Sequence, residues 1–245
     1  MSEMLAGVSH GPVVAEASPG ERAAFITKTY LHLFGAIVLF TVLEVFWFFT
    51  PVPALMFSVL AAGRFAWLAF MAAFVGVSML ANHWAESSAS LGKQYAGLGL
   101  YALFQSILFI PLIAMALAAG QGSDWNEADP MLLPRAILVT LTLFGGLTGV
   151  VFITRKDFSF MRGVLMFAGF AALGLVAASL LFGFTLGMAF SYAMVALACG
   201  YILYDTSNVL HRYRTTQHVA AALALFAAVM LLFWYVLRIF LSRRR

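Results

Sequence analysis

The sequence predicts an all-α integral membrane protein, a bundle of seven transmembrane helices. Three observations carry that reading. Of 245 residues, 63% are hydrophobic and only 10% are charged, against about 25% charged in an ordinary soluble domain. Mean hydropathy is +0.97. The apolar residues also gather into seven runs, each near the roughly 20 residues a helix needs to cross a hydrocarbon core of ~30 Å. No run alternates with period two, as the strands of a transmembrane barrel do. Helices are then the way left to satisfy backbone polar groups in lipid. These spans occupy most of the chain and leave no room for a separate soluble catalytic domain.

Residues 1–24 mix Gly, Pro, Ser and Ala with scattered acids, without helical periodicity. They lack the apolar core of a cleaved signal and read as a disordered tail. Residues 25–242 read as a single transmembrane domain. Its first run, 25–49, is interrupted by Lys28, His32 and Glu44 and stops at Pro51 and Pro53. The second is 55–81, with Arg64 near its start. The third, 95–119, leads into the polar segment 120–130. The fourth, 134–154, opens on Pro134, a residue suited to a first helical turn. After the polar stretch 155–162 come a fifth run, 163–182, a tight turn at Gly183, and a sixth run, 186–205. The seventh is 219–241. Gly145-x-x-x-Gly149 and Ala196-x-x-x-Gly200 are spacings that let helix backbones approach closely.

Charge sets the expected orientation. The formal net charge of +4 does not indicate nucleic-acid binding, because the bases flank apolar runs and act there as topology determinants. Arg22, Lys28, Lys93, Arg155, Lys156, Arg162, Arg212 and Arg214 fall on one side, which places the N-terminus in the cytoplasm. Asp124, Glu127 and Asp129 fall on the other. Arg238 and the tail Arg243-Arg244-Arg245 disagree, since seven crossings put them outside.

Ionisable residues in or beside membrane spans are candidate functional groups, because burying charge in lipid is costly. Tyr201, Asp205, Asn208 and Arg212 recur at i, i+4, i+7 and i+11 and so share one helical face. They could close a hydrogen-bond network or gate a proton or cation path. The alternative is an interfacial Asp205 paired with Arg212 or a loop base. Glu44 and Arg64 could pair on the outer side, or each could snorkel separately to water. Enzyme signatures are missing: there is no phosphate loop and no Gly-x-Ser-x-Gly elbow. His32, His83, His211 and His218 do not stand in metal-ligand spacing. Cys199 is the single cysteine, which excludes a disulfide within the chain and sites built on several thiolates. No enzyme, metal or cofactor is read from the sequence.

The segment Tyr204-Asp205-Thr206-Ser207-Asn208-Val209-Leu210-His211 resembles the sixth-helix signature of the Bax inhibitor-1 family. Thr154-Arg155-Lys156-Asp157-Phe158-Ser159-Phe160 is similar to the loop between helices four and five in its bacterial YccA-like branch. Thr29-Tyr30 and Leu237-Arg238-Ile239 also fit, and the similarity runs from about Arg22 to Phe240. The resemblance implies a seven-helix bundle with the last helix central, in a bacterial inner membrane. It further implies one of two activities. One is modulation of a membrane-bound ATP-dependent protease of the FtsH type. The other is a pH-sensitive calcium leak, in which two aspartates on helices six and seven share protons. Asp205 matches the first aspartate of that pair. The position matching the second is Ala228, Leu231 stands where an asparagine is expected, and the later half of helix two carries no acid. The resemblance therefore favours a regulator, with a cation leak through Asp205 as the alternative.

Overall fold

A computed structural model describes residues 11–87, 90–121 and 129–242. Eight α-helices lie among the described residues: α1 (Pro19–Phe48), α2 (Val52–Ala61), α3 (Arg64–Ala85), α4 (Leu91–Gln121), α5 (Leu132–Thr154), α6 (Arg162–Phe182), α7 (Met188–His211) and α8 (His218–Ser242). All but α2 are long and apolar enough to cross a membrane. The seven-helix bundle expected from the sequence is therefore present.

The last helix is its axis. In the most apolar stretch of α8, 78% of residues are buried inside the protein, against 6% to 50% in the other six spans. Leu223, Leu225, Phe226, Leu232 and Leu237 are fully enclosed. A helix surrounded by helices must be apolar on every side, and residues 219–237 contain no Asp, Glu, Lys, Arg or His. Aromatic rings fix three helices to one another at this axis. Phe109 of α4 lies parallel to Phe233 at 5.5 Å and edge-on to Trp234 at 5.0 Å, while Phe40 of α1 meets Phe109 at 5.2 Å. Offset and edge contacts of this kind add to the stabilisation from burial alone.

Three boundaries depart from the sequence reading, each for a local reason. The run 55–81 is two helices, because Gly63 adopts φ 115° between α2 and α3, a conformation open mainly to glycine. The end of the expected tail 1–24 is helical. Ser18 Oγ accepts the Glu21 amide at 3.4 Å, and the Glu21 carboxylate accepts the Ser18 amide at 3.1 Å. This capping box, with Pro19 behind it, starts α1 six residues before Phe25. Ahead of it, Val13 pairs in antiparallel fashion with Arg214, and the buried Val14 donates its amide to the Tyr213 carbonyl at 2.9 Å. Residues 1–10 lie outside the described residues, as do Asp124, Glu127 and Arg243–Arg245. Finally, α7 continues a turn and a half past Asp205 to His211.

Of the small-residue spacings, only one works as a close contact. Gly200 faces Leu165 of α6, whereas Gly145 and Gly149 meet nothing within 4 Å. A close backbone approach between helices occurs at a glycine that the spacing did not single out. A Cβ on Gly97 of α4 would stand 2.5 Å from the Ala81 carbonyl oxygen and 2.8 Å from the Ala85 nitrogen of α3. Backbone cannot rotate away, so Gly97→Val should lower the melting temperature in detergent, with a loss of about 1–3 kcal/mol. Gly145→Val, which meets open space, should leave it unchanged; equal effects at the two sites would contradict this account.

Candidate functional site

Asp205, Asn208 and Arg212 stand at the end of the bundle that holds the start of α1, the α5–α6 connection and the α7–α8 turn, whereas Glu44 and Arg64 do not. The four residues of the expected stripe do not form a closed network among themselves. Tyr201 gives its hydroxyl proton to the Leu165 carbonyl of α6 at 2.9 Å. Gly169 makes that contact feasible, since a Cβ there would lie 2.6 Å from the phenol oxygen. The Asn208 carbonyl accepts the amides of Arg212 and Tyr213 and so closes the helix, while its side-chain oxygen is buried without a partner. Arg212 lies beyond the last helical residue and turns to Asp157 at 3.5 Å. Asp205 makes no hydrogen bond or ion pair among the described residues, so its expected pairing with Arg212 or a loop base is absent.

Ser207, one helical step aside from the stripe, is the residue that joins the elements. Its hydroxyl oxygen accepts the Phe158 amide at 2.9 Å. Its single proton is shared between two acceptors at 3.4 Å, the Lys156 carbonyl and Asp157 Oδ1. Asp157 Oδ1 in turn accepts the Ser159 amide at 2.8 Å. The α5–α6 connection is thus held by α7 through the Ser207 hydroxyl. The Asp157–Arg212 ion pair is about half exposed on both sides, and a solvent-screened pair contributes little. The Ser159 amide is the main reason the Asp157 carboxyl sits below its ordinary 3.8; burial opposes this slightly, and the Arg212 charge adds to it.

Two carboxylates act on the α7–α8 turn. The Tyr213 phenol, in the α7–α8 turn, is pushed well up, chiefly by burial and then by the negative charges of Asp205 and Glu86. Glu86 caps the end of α3. The sequence reading missed it because the polar pair Asn82-His83 ended the apolar run at 81. The length of a full crossing, counted from the break at Gly63, would have carried the helix to it. Nearby, His32 bonds the Lys28 carbonyl and, through Nε2 at 3.0 Å, the Tyr95 hydroxyl. Its ring meets that of His218 at 4.9 Å. These contacts tie α1 to α4 and α8.

The expected Glu44–Arg64 pair is not formed. Glu44 is 5% exposed, and both carboxyl oxygens lack a partner. It faces a cavity of about 280 Å³ among α1, α4, α5 and α8, where Thr41 and Thr140 are the other polar residues. The turn at Gly63 sends Arg64 the other way, to the Leu181 carbonyl of α6 at 3.1 Å. No cluster of three or more metal-ligating side chains occurs among the described residues.

Comparison with known proteins adds three findings of similarity. The model of a family described as "Inhibitor of apoptosis-promoting Bax1" matches residues 22–245. Protein lifeguard 4 of Mus musculus is 28% identical over 232 residues, which is 94% of this chain and 90% of its own. Two shorter matches cover little more than half of each chain. Bax inhibitor 1 of Schizosaccharomyces pombe is 28% identical over 144 residues, 57% of this chain and 53% of its own. The modulator of FtsH protease YccA of Escherichia coli is 30% identical over 138 residues, 56% of this chain and 58% of its own.

The contacts around Ser207 lead to a measurable outcome. In Ser207→Ala the Phe158 amide loses its acceptor, and its hydrogen-exchange protection should fall at least tenfold, the equivalent of a lost bond of about 1.4 kcal/mol. The Asp157 contribution has a definite sign. A carboxyl whose folded value lies below 3.8 stabilises the loop in full above that value and stops doing so as pH falls through the lowered one. Protection of the Ser159 amide should therefore be flat from pH 7 to pH 5 and decline only below about 3.8. A decline centred near pH 6 would assign the effect to another group.

Proposed function

Because this chain belongs to the Bax inhibitor-1 family, we propose that it is a regulatory membrane protein that modulates a membrane-bound ATP-dependent protease of the FtsH type. The observation that carries this reading is the sealed, uncharged axis. Residues 219–237 of α8 offer no carboxylate or base, Ala228 is buried, and a cation crossing the centre of the bundle would find no compensating charge. A protein without a polar path acts through its surfaces. Those surfaces lie at the end bearing Arg22, Arg155, Lys156, Arg162, Arg212 and Arg214, which the distribution of basic loops assigns to the cytoplasm of a bacterial inner membrane. The relative from Escherichia coli, named as a modulator of FtsH protease, supports the choice of partner.

A cation leak is the second reading. It is favoured by one feature, the Asp205 carboxyl without a partner among the described residues, on the same helix as the unpartnered Asn208 side-chain oxygen, since an ionisable group in a membrane span marks a candidate ion or proton path.

Two experiments separate them. Under the regulatory reading, the full chain co-purifies with the protease from membranes, and its deletion changes the lifetimes of the protease's membrane substrates. Unchanged lifetimes together with no recovery would refute it. Under the leak reading, dye-loaded vesicles containing the protein take up calcium faster than empty ones, and Asp205→Asn abolishes the difference; equal influx with either protein would exclude Asp205 as its gate.

A further inference from the structure

A large cavity opens at the opposite end of the bundle from the polar site. It is a cleft of about 830 Å³ between α3, α4, α6, α7 and α8, a size typical of sites for small molecules. Apart from Gln105, Ser179, Thr185 and its tyrosines, the cleft is apolar between its two arginines, Arg64 and Arg238. Along α3 it reaches from Arg64 to Val75, and along α8 from Arg238 to Ala227. At 1.5 Å per residue each side is about 16 Å long, close to half of a ~30 Å hydrocarbon core. The cleft is therefore about one leaflet deep. Tyr101, Gly169 and Tyr201 are the lining residues furthest from the arginines, and there Tyr201 is bonded to α6.

The arginines stand at the mouth. Arg64 donates to the Leu181 carbonyl at 3.1 Å and Arg238 to the Leu186 carbonyl at 3.0 Å. Both acceptors flank the α6–α7 turn, so the two guanidinium groups are oriented towards one place. Each has five N–H donors, of which these contacts use few. Neither meets a carboxylate among the described residues. Arg238 also violates the charge asymmetry that the other loops obey, which a purely topological role does not explain.

We infer that this cleft holds an anionic phospholipid of the surrounding bilayer, with an acyl chain between α3 and α6 and its phosphate against Arg64 and Arg238. The depth of one leaflet fits a single acyl chain and is too short for a transmembrane helix. Paired guanidinium groups match phosphate oxygens through charge-assisted bonds. Dry apolar walls on a lipid-facing bundle also select a ligand drawn from lipid.

The test is native mass spectrometry of the detergent-purified full chain, titrated with phosphatidylglycerol and phosphatidylcholine of identical acyl chains. The wild type should retain phosphatidylglycerol roughly tenfold more tightly. Arg64→Gln/Arg238→Gln should erase that preference while still binding both lipids weakly. Leu173→Trp, which narrows the cleft from α6, should weaken both lipids and keep the preference. Melting curves verify that each variant is folded, and Arg64→Lys/Arg238→Lys, which keeps the charge, should recover part of the preference if the double glutamine variant is unstable. Equal retention of the two lipids by the wild type would overturn the inference. So would a preference that survives in the double glutamine variant, displacement of the lipid by millimolar inorganic phosphate alone, or a lipid-free dimer as the main species.

Discussion

Everything in this bundle depends on one constraint, the enclosure of α8 by the other helices. An enclosed helix has neither water nor lipid headgroups to receive a polar side chain, so its sequence must be apolar through the whole thickness of the membrane. The aromatic contacts of Phe109 with Phe233 and Trp234, and of Phe40 with Phe109, then hold the axis in one register. The cost is chemical. A core filled with Ala, Leu and Phe has nothing with which to bind, transfer or conduct. Polar function is displaced to the two ends, where helices finish and backbone groups need partners.

The ends differ in kind. At one, hydrogen bonds of the Ser207 hydroxyl hold the α5–α6 connection in place, beside a cluster of basic residues. At the other, two arginines are tethered to carbonyls around a single turn, above an apolar opening. The basic residue that appeared misplaced by charge counting is thus a structural tie. Arg238 satisfies the Leu186 carbonyl, an acceptor left over where α6 ends and α7 has not begun, and so it secures the outer turn of the axis helix.

Hydropathy made the seven spans and their order legible, because lipid imposes length and composition on each. The central place of the last helix came from family resemblance; 219–237 being free of charge was consistent with it but could not prove it. Local endings were harder. The capping box at Ser18 and Glu21 was written in the sequence as Ser-Pro-Gly-Glu, yet the low hydropathy around it masked a helix start. Gly63 broke a run that looked continuous, since one residue at positive φ leaves no trace in a hydropathy average. Side-chain partners were the least legible. Helical spacing grouped Tyr201, Asp205, Asn208 and Arg212 in one stripe, but which group each one bonds depends on neighbours brought in from α6 and from the α5–α6 connection. Those neighbours, Leu165 and Asp157, lie 36 and 55 residues away in the chain. The same holds for Glu44 and Arg64, which a single glycine turns apart.

The pairing of Val13 with Arg214 joins segments some 200 residues apart in sequence. Contacts of such long range close late, and a chain emerging from the ribosome builds its N-terminal helices first. Until the α7–α8 turn has been made and inserted, Val14 has no Tyr213 carbonyl to receive its amide. The tie between the segment before α1 and the α7–α8 turn is therefore made only once both ends of this helical bundle are in place, so a truncation that removes the turn also removes the partner of Val13 and Val14.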